Sequence, residues 1–255
     1  MNRLYHLEQT LPLNILATAS YPNREFIILN YGSKDNLHQW VQKNLKKYID
    51  AGIVKYLHTK IPKYFVATHA KNVAHRQATG DILCNLDADN FLLDGFIEYV
   101  AEKMQTDPCV IASPSSDMFN TPGSCGKIIV KREHFYSVNG YDEDWNIGWG
   151  WDDTSFQFRV RMHNKLKVEF LDKKWCLCLN HSNWERSKNF RNQDITFTEK
   201  ESIKTNGFVG SRHTDQQAMA SSTWSGMCLG ISDVYQLRYT PFGATMSIAL
   251  MRPLS

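Results

Sequence analysis

The sequence predicts an α/β domain built on a mixed, mostly parallel sheet with helices on both faces, and three observations predict it. Short apolar runs suited to buried strands alternate with amphipathic stretches up to about residue 112. One of those runs, Asp81 to Leu86, ends directly on two carboxylates one residue apart, Asp87 and Asp89. Ligands of such sheets gather there, beyond the carboxyl ends of the strands. After residue 113 the texture changes to turn-rich, aromatic and acidic segments, so the alternation that marks the sheet belongs to the first part of the chain. With 42% hydrophobic and 12% aromatic residues, a chain of 255 residues can bury a sizeable core.

The elements follow in order. Leu4, Leu7, Leu11 and Ile15 recur at helical spacing, in a helix that Pro12 is expected to kink or end. Glu25 to Asn30 is a buried strand, and Leu37, Trp40, Val41, Leu45, Tyr48 and Ile49 mark one face of a helix closed by Gly52. Strand 53–57, helix 67–78, strand 82–86, helix 93–104 and strand 109–112 continue the alternation. Turn-rich segments at Ser113 and Thr121 lead to a strand over 126–131 and a short helix to Val138. A helix is expected from near Asp153 to about His163, then strands over 168–171 and 175–179 and a helix over 194–204. Beyond Gly207 the periodicity fades, apart from short apolar runs near Met246 to Met251, and residues 206–255 read as an extension of unknown role. Met1 to His6 already has the texture of the loop and helix that follow a strand, so the expected sheet lacks its first strand.

The formal charge of +3 comes from scattered basic residues, which argues against a nucleic-acid binder. None of the six cysteines falls in a Cys-x-x-Cys pair, which argues against a zinc knuckle and for reduced thiols. No signal peptide and no apolar run of membrane-spanning length is present in the sequence. The reading is a cytoplasmic protein, at most peripheral to the inner face of a membrane.

Alternate residues of an extended chain point to one side, so Asp87 and Asp89 can converge on a hard divalent cation, Mg²⁺ or Mn²⁺. The competing reading is a polar turn after a buried strand. A second candidate is Gly148-Trp-Gly-Trp-Asp-Asp153. Trp149 and Trp151 offer a sugar-stacking surface, and Gly148 and Gly150 allow backbone movement. Asp152 and Asp153 either cap a helix or supply a carboxylate that accepts a proton. A third is His181, just past a predicted strand, which is either a hydrogen-bonded loop residue or a metal partner of Asp89; imidazole suits Mn²⁺ better than Mg²⁺.

Taken in this order, the three candidates make the chain resemble the GT-A glycosyltransferases, particularly family 2 enzymes and the C-terminal half of the β1,4-galactosyltransferase type. The resemblance spans about residues 1–205 and rests on Leu86 to Asn90, Gly140 to Asp144, Gly148 to Asp153 and Asn180 to Ser182. It implies a nucleotide-sugar half over about 1–112 and an acceptor half over about 113–205. It further implies an inverting transfer from a nucleotide-diphosphate donor, most simply a UDP-sugar, to a saccharide or glycolipid hydroxyl. Asp89 and His181 would ligate the metal, and Asp87 would face the ribose or the ion. Asp153 would be the general base, with Asp152 holding acceptor hydroxyls. Trp149, Gly150 and Trp151 would close over the donor, while His69, Lys71 and Asn72 would face the nucleotide. Tyr31 stands where the family shows an acid against uracil, so it would stack or donate a hydrogen bond instead. Two other classes fit parts of the pattern: a GT-A saccharide-binding or scaffolding protein without turnover, and a nucleotidyltransferase.

Overall fold

The computed structural model describes residues 1–60, 63–107, 109–113, 126–144 and 152–191, together with the backbone of a strand at Thr245–Leu250. The first helix, α1, spans Leu4–Ala17 and sends Leu7, Leu11 and Ile15 into the core. It continues through Pro12 instead of ending there. Pro12 and Glu8, the residue whose carbonyl the proline cannot bond, both lie on the exposed side, where solvent can satisfy that carbonyl. Strand β1 (Arg24–Tyr31) is buried at all eight positions, as a strand covered on both faces must be.

The single helix expected after β1 is two, α2 (Leu37–Asn44) and α3 (Lys46–Asp50). Leu45 between them sits at φ −108° and ψ 0° with its side chain buried. The helical run stops at Gly52, whose φ of +72° suits a residue without a Cβ. There follow β2 (Val54–Thr59), α4 (Ala67–Arg76), β3 (Ile82–Asn85), α5 (Phe96–Thr106) and β4 (Cys109–Ala112). The second half contributes β5 (Ile128–Lys131), α6 (Arg132–Ser137), α7 (Asp152–Asn164), β6 (Lys167–Phe170) and a short α8 (Asn183–Ser187).

The strand expected over 175–179 is not part of the sheet. A 3₁₀ turn covers Lys173–Trp175, and the chain beyond it meets one isolated partner, Cys178 opposite Asn90. The reason is packing: the Trp175 ring lies against Phe96 and Tyr99 of α5, which turns the segment across the loop after β3 instead of along the sheet edge. The helix expected over 194–204 lies outside the described residues.

Thr245–Leu250 forms the last strand, β7. Among the described residues the sheet has seven strands in the order β2-β1-β7-β3-β5-β4-β6. β1 runs parallel to β2, and β4 to β6. β5 is antiparallel to β3 and β4, and β7 is antiparallel to both β1 and β3. The position between β1 and β3 is thus held by six residues of the segment expected to be a separate extension. Leu29 pairs with Thr245, and Asn85 with Ser247.

Two apolar layers cover the sheet. Residues of α1, α2 and α5 pack on Phe26, Ile28, Cys84, Ile111 and Ile129. Residues of α4, α6 and α7 pack on Ile27, Leu29, Leu83, Val110 and Ile128. No helix among the described residues is long and apolar enough to cross a membrane.

Because β7 is hydrogen-bonded on both sides, a proline within it removes a ladder donor from the middle of the sheet. Ser247→Pro is expected to destabilise the protein by on the order of 3 kcal/mol. Urea unfolding followed by circular dichroism checks this, and an unchanged midpoint would contradict the central position of β7.

Candidate active site

The site is assembled at the carboxyl ends of β1 and β3, the edge where loops carry polar groups without breaking sheet pairing. Asp87 and Asp89 follow β3 directly. Their loop is fixed by α1: Thr10 Oγ1 donates to the carbonyl of Ala88 at 2.7 Å, and the Asn14 amide bonds Asn90 O at 3.0 Å and Leu92 N at 2.7 Å. These are buried bonds on a helix face that sequence periodicity marks as apolar.

Asp89 is 7% exposed, and its Oδ2 lies 2.6 Å from Nε2 of His181, a residue 92 positions later. Burial pushes the Asp89 carboxyl up, but the hydrogen bond and charge of His181, with Asn90 and Arg3, outweigh burial and hold it below its ordinary value. The main chain aligns the two segments: Leu179 N donates to Asp89 O at 2.8 Å and Phe91 N to Leu177 O at 3.0 Å. His6 of α1 sets its ring edge-on to His181, with centroids 5.4 Å apart. A carboxylate oxygen and an imidazole nitrogen are donor types suited to a divalent cation, and here they are hydrogen-bonded to each other. Among the described residues no group of three or more His, Cys, Asp or Glu is arranged to hold a metal alone, so the pair needs oxygen donors from a ligand or water.

A second group of charges lies beside the first. Lys71 of α4 is 4% exposed, and its Nζ reaches Asp152 Oδ2 at 2.6 Å and Asp153 Oδ1 at 2.7 Å. Both acids open α7, so they also complement its dipole. Burial raises the Asp153 pKa to about 8, helped by the charge of Asp152 and opposed by Lys71. Desolvation pulls Lys71 down, but Asp152 and Asp153 more than compensate and leave it well above the usual lysine range. Asp87 is raised by burial and by Asp89 and Asp152, with Lys71 opposing.

Gly126, two residues before β5, is what lets Asp87 and Asp153 approach. A Cβ there would lie 2.5 Å from Asp87 Oδ2 and 3.2 Å from Asp153 Oδ2. The Gly126 carbonyl accepts from the amide of Asn85 at 2.7 Å, tying it to the end of β3.

The other predicted residues are placed as follows. Tyr31 Oη is 2.5 Å from His69 Nδ1, making a pair between the end of β1 and the start of α4. Asn72 is 1% exposed and turned towards the turn at Gly140: its amide donates to Tyr141 O and Glu143 Oε1 and accepts from Tyr141 N. That turn puts Gly140 at φ +74°, with Asn72 Oδ1 where a Cβ would stand. Trp149, Gly150 and Trp151 lie outside the described residues.

Residues that sequence reasoning missed are Arg3, whose charge acts on both Asp87 and Asp89, the Thr10 and Asn14 clamp, Gly126 and Lys127. Thr10 and Asn14 sit three and seven positions after Leu7 of the buried stripe. That spacing is the signal that would have found them.

The description Glycosyl transferase family 2 matches residues 5–165, and the chain belongs to that family. Its fold is shared with solved GT-A structures. One is the mannosyltransferase PcManGT from Pyrobaculum calidifontis in complex with GDP-Man and Mn²⁺, at 20% identity and a TM-score of 0.51, covering 67% of this chain and 55% of that one. Another is S. aureus TarS 1-349, at 17% identity and a TM-score of 0.51, covering 68% and 56%. The chain therefore spans little more than half the length of these two. The catalytic domain of Drosophila β1,4-galactosyltransferase 7 in complex with xylobiose aligns at 20% identity with a TM-score of 0.43, covering 68% of this chain and 77% of that one. No curated protein matches the sequence.

Gly126→Ala places a methyl group against Asp87, and one of the two must move. The expected cost is about 1–3 kcal/mol of stability, as for other overpacked sites, with loss of any ligand affinity that depends on Asp87. Thermal denaturation checks the first part. A melting temperature equal to wild type would show that the carboxylate has room to spare.

Proposed function

We propose that this protein is a metal-dependent, inverting glycosyltransferase that moves a sugar from a nucleotide-diphosphate donor, a UDP-sugar by preference, to a saccharide hydroxyl. The observation that carries the reading is the juxtaposition of two unlike groups at one sheet edge: the Asp89–His181 pair and the Asp87–Asp152–Asp153 cluster around Lys71. The first has donors suited to Mn²⁺ or Mg²⁺, and the second holds a carboxylate whose pKa lies near the working pH. Family membership and the Mn²⁺ and GDP-Man carried by one structural neighbour support the same assignment.

In this reading Asp89 and His181 would hold the cation, which would supply positive charge to a departing diphosphate. Asp153 takes the proton of the acceptor hydroxyl as that oxygen attacks the anomeric carbon from the opposite side. Asp152 stays on Lys71 and fixes the base, so the acceptor meets one carboxylate orientation. Tyr31 at the end of β1 and His69 at the start of α4 form a pair on which a base ring can stack or from which it can accept a hydrogen bond. Asn72 acts by shaping the Gly140–Tyr141 turn. Trp149, Gly150 and Trp151, next to Asp152 in sequence, complete the donor side.

Three outcomes are expected. Asp153→Asn abolishes transfer and leaves Mn²⁺-dependent UDP binding nearly intact by calorimetry, whereas Asp89→Ala loses that binding. Wild-type turnover in the first variant, or unchanged binding in the second, would remove the role assigned. A thermal-shift screen of nucleotide sugars with and without Mn²⁺ tests the class as a whole, and a screen without any shift counts against it.

The pH dependence follows from the sign of the Asp153 shift. Its folded value of about 8 is raised, so the ionised base is the minor form at neutral pH and transfer should rise with pH through that value. Lys71→Met removes a charge that lowers it, so the ascending limb of the kcat/KM profile should move to higher pH. A limb left in place would disconnect Lys71 from the base.

A further inference from the structure

Lys127 stands one residue before β5, between the site's two groups of charges, and neither group uses it. Its side chain is 0% exposed, an unusual position for a lysine. Alternation along β5 puts it on the face of Ile129, under α5, where its Nζ lies 5.6 Å from the centre of the Phe96 ring. From there Nζ donates to Trp175 O at 2.6 Å and to Phe91 O at 3.2 Å. Phe91 is two residues beyond Asp89, and Trp175 begins the passage that ends at His181. Among the described residues those segments are also joined by two main-chain bonds, which together make the bridge of Asn90 with Cys178, and by the Asp89–His181 contact itself.

We propose that Lys127 is a positioning residue for the metal-binding pair: its buried Nζ, bonded to the carbonyl oxygens of Phe91 and Trp175, clamps together the two segments that carry Asp89 and His181. The inference rests on the metal-dependent reading above. It does not rest on the charge of Lys127. Burial pushes its pKa down, with nearby thiols and Asp87 opposing, and a neutral amine still has hydrogens for two carbonyls. A buried donor aimed at two carbonyls is costly to lose, because both oxygens are then left without it. Groups that orient metal ligands from behind commonly change metal affinity by about 10- to 100-fold when removed.

Lys127→Met keeps the aliphatic stem and deletes the donor, and Val100→Ala removes core volume from the same layer and leaves the Nζ donor and both carbonyls in place. Two readouts are taken on the full chain: hydrogen exchange of residues 88–92 and 176–180 without metal, and Mn²⁺ affinity in the presence of UDP. In Lys127→Met both segments are expected to exchange faster and Mn²⁺ to bind about 10- to 100-fold more weakly, while Val100→Ala keeps wild-type values in both. Exchange and affinity within twofold of wild type in Lys127→Met would overturn the clamp and leave the proposed function standing. Equal losses in Val100→Ala would reduce Lys127 to a general stabiliser and also overturn it. A wild type that binds no Mn²⁺ with UDP would remove the proposed function and the inference together. Should Lys127→Met fail to fold, Lys127→Gln is scored by the same two readouts.

Discussion

The constraint on which the rest of the site depends is the crowding of like charges around one buried ammonium. Asp87, Asp152 and Asp153 act on one another electrostatically, and burial favours the neutral form of each acid it affects. Lys71 answers two of them at hydrogen-bond distance. Truncating one partner of such a buried group commonly costs about 3–5 kcal/mol, because a charge is left uncompensated. The fold supports the arrangement at several points. α4 brings Lys71 from below, α7 begins at Asp152 so that its dipole faces the acids, and Gly126 removes the side chain that would separate Asp87 from Asp153. The Lys71 Nζ also sits 5.0 Å from the centre of the Tyr141 ring, whose backbone Asn72 holds.

The two groups of charges differ in a way that suits divided chemistry. Asp89 is held below its ordinary value by an imidazole and an amide and stays ionised, as a cation ligand must. Asp153 is held up by burial and by a neighbouring acid, as a proton acceptor working near neutrality needs. Both acids lie at one sheet edge, and the difference comes from their neighbours. The two residues that lead into β5 serve both groups: Gly126 leaves room for Asp87 and Asp153, and Lys127 reaches the segments of Asp89 and His181.

Much of this was legible in the sequence, and the boundary is physical. Strand and helix alternation up to Ala112 gave the layered sheet, because strands buried on both faces leave unbroken apolar runs such as Phe26 to Leu29. Asp89 and His181 were legible as a pair only through motif order, since their contact spans 92 positions. Residues that act by shape were not legible. Gly126 follows the turn-rich Thr121-Pro-Gly-Ser, and only its neighbours in space give it meaning. Lys127 looks like a charge heading an exposed strand, although Ile129 on the same face is buried. Trp175 to Leu179 has the composition of a strand, yet a tryptophan seated on α5 diverted it. The bond from the Asn72 amide to a turn 69 positions away was not legible either, because only the fold brings the two together.

The strand between β1 and β3 changes how the expected gap in the sheet is understood. A parallel strand there would deliver its carboxyl end, and the loop after it, to the site edge. β7 runs the other way: Thr245, its first residue, pairs with Leu29 near the site, and Leu250 pairs with Arg24 at the far end. The sheet is continuous, so the β1 and β3 ladders are satisfied and no bare edge is left in its middle. Among the described residues the site edge is furnished from the side by α1, whose Thr10 and Asn14 grip the loop of Asp87 and Asp89 while Arg3 adds positive charge. Continuity of the sheet and furnishing of the site, which one parallel strand could serve together, are here divided between β7 and α1.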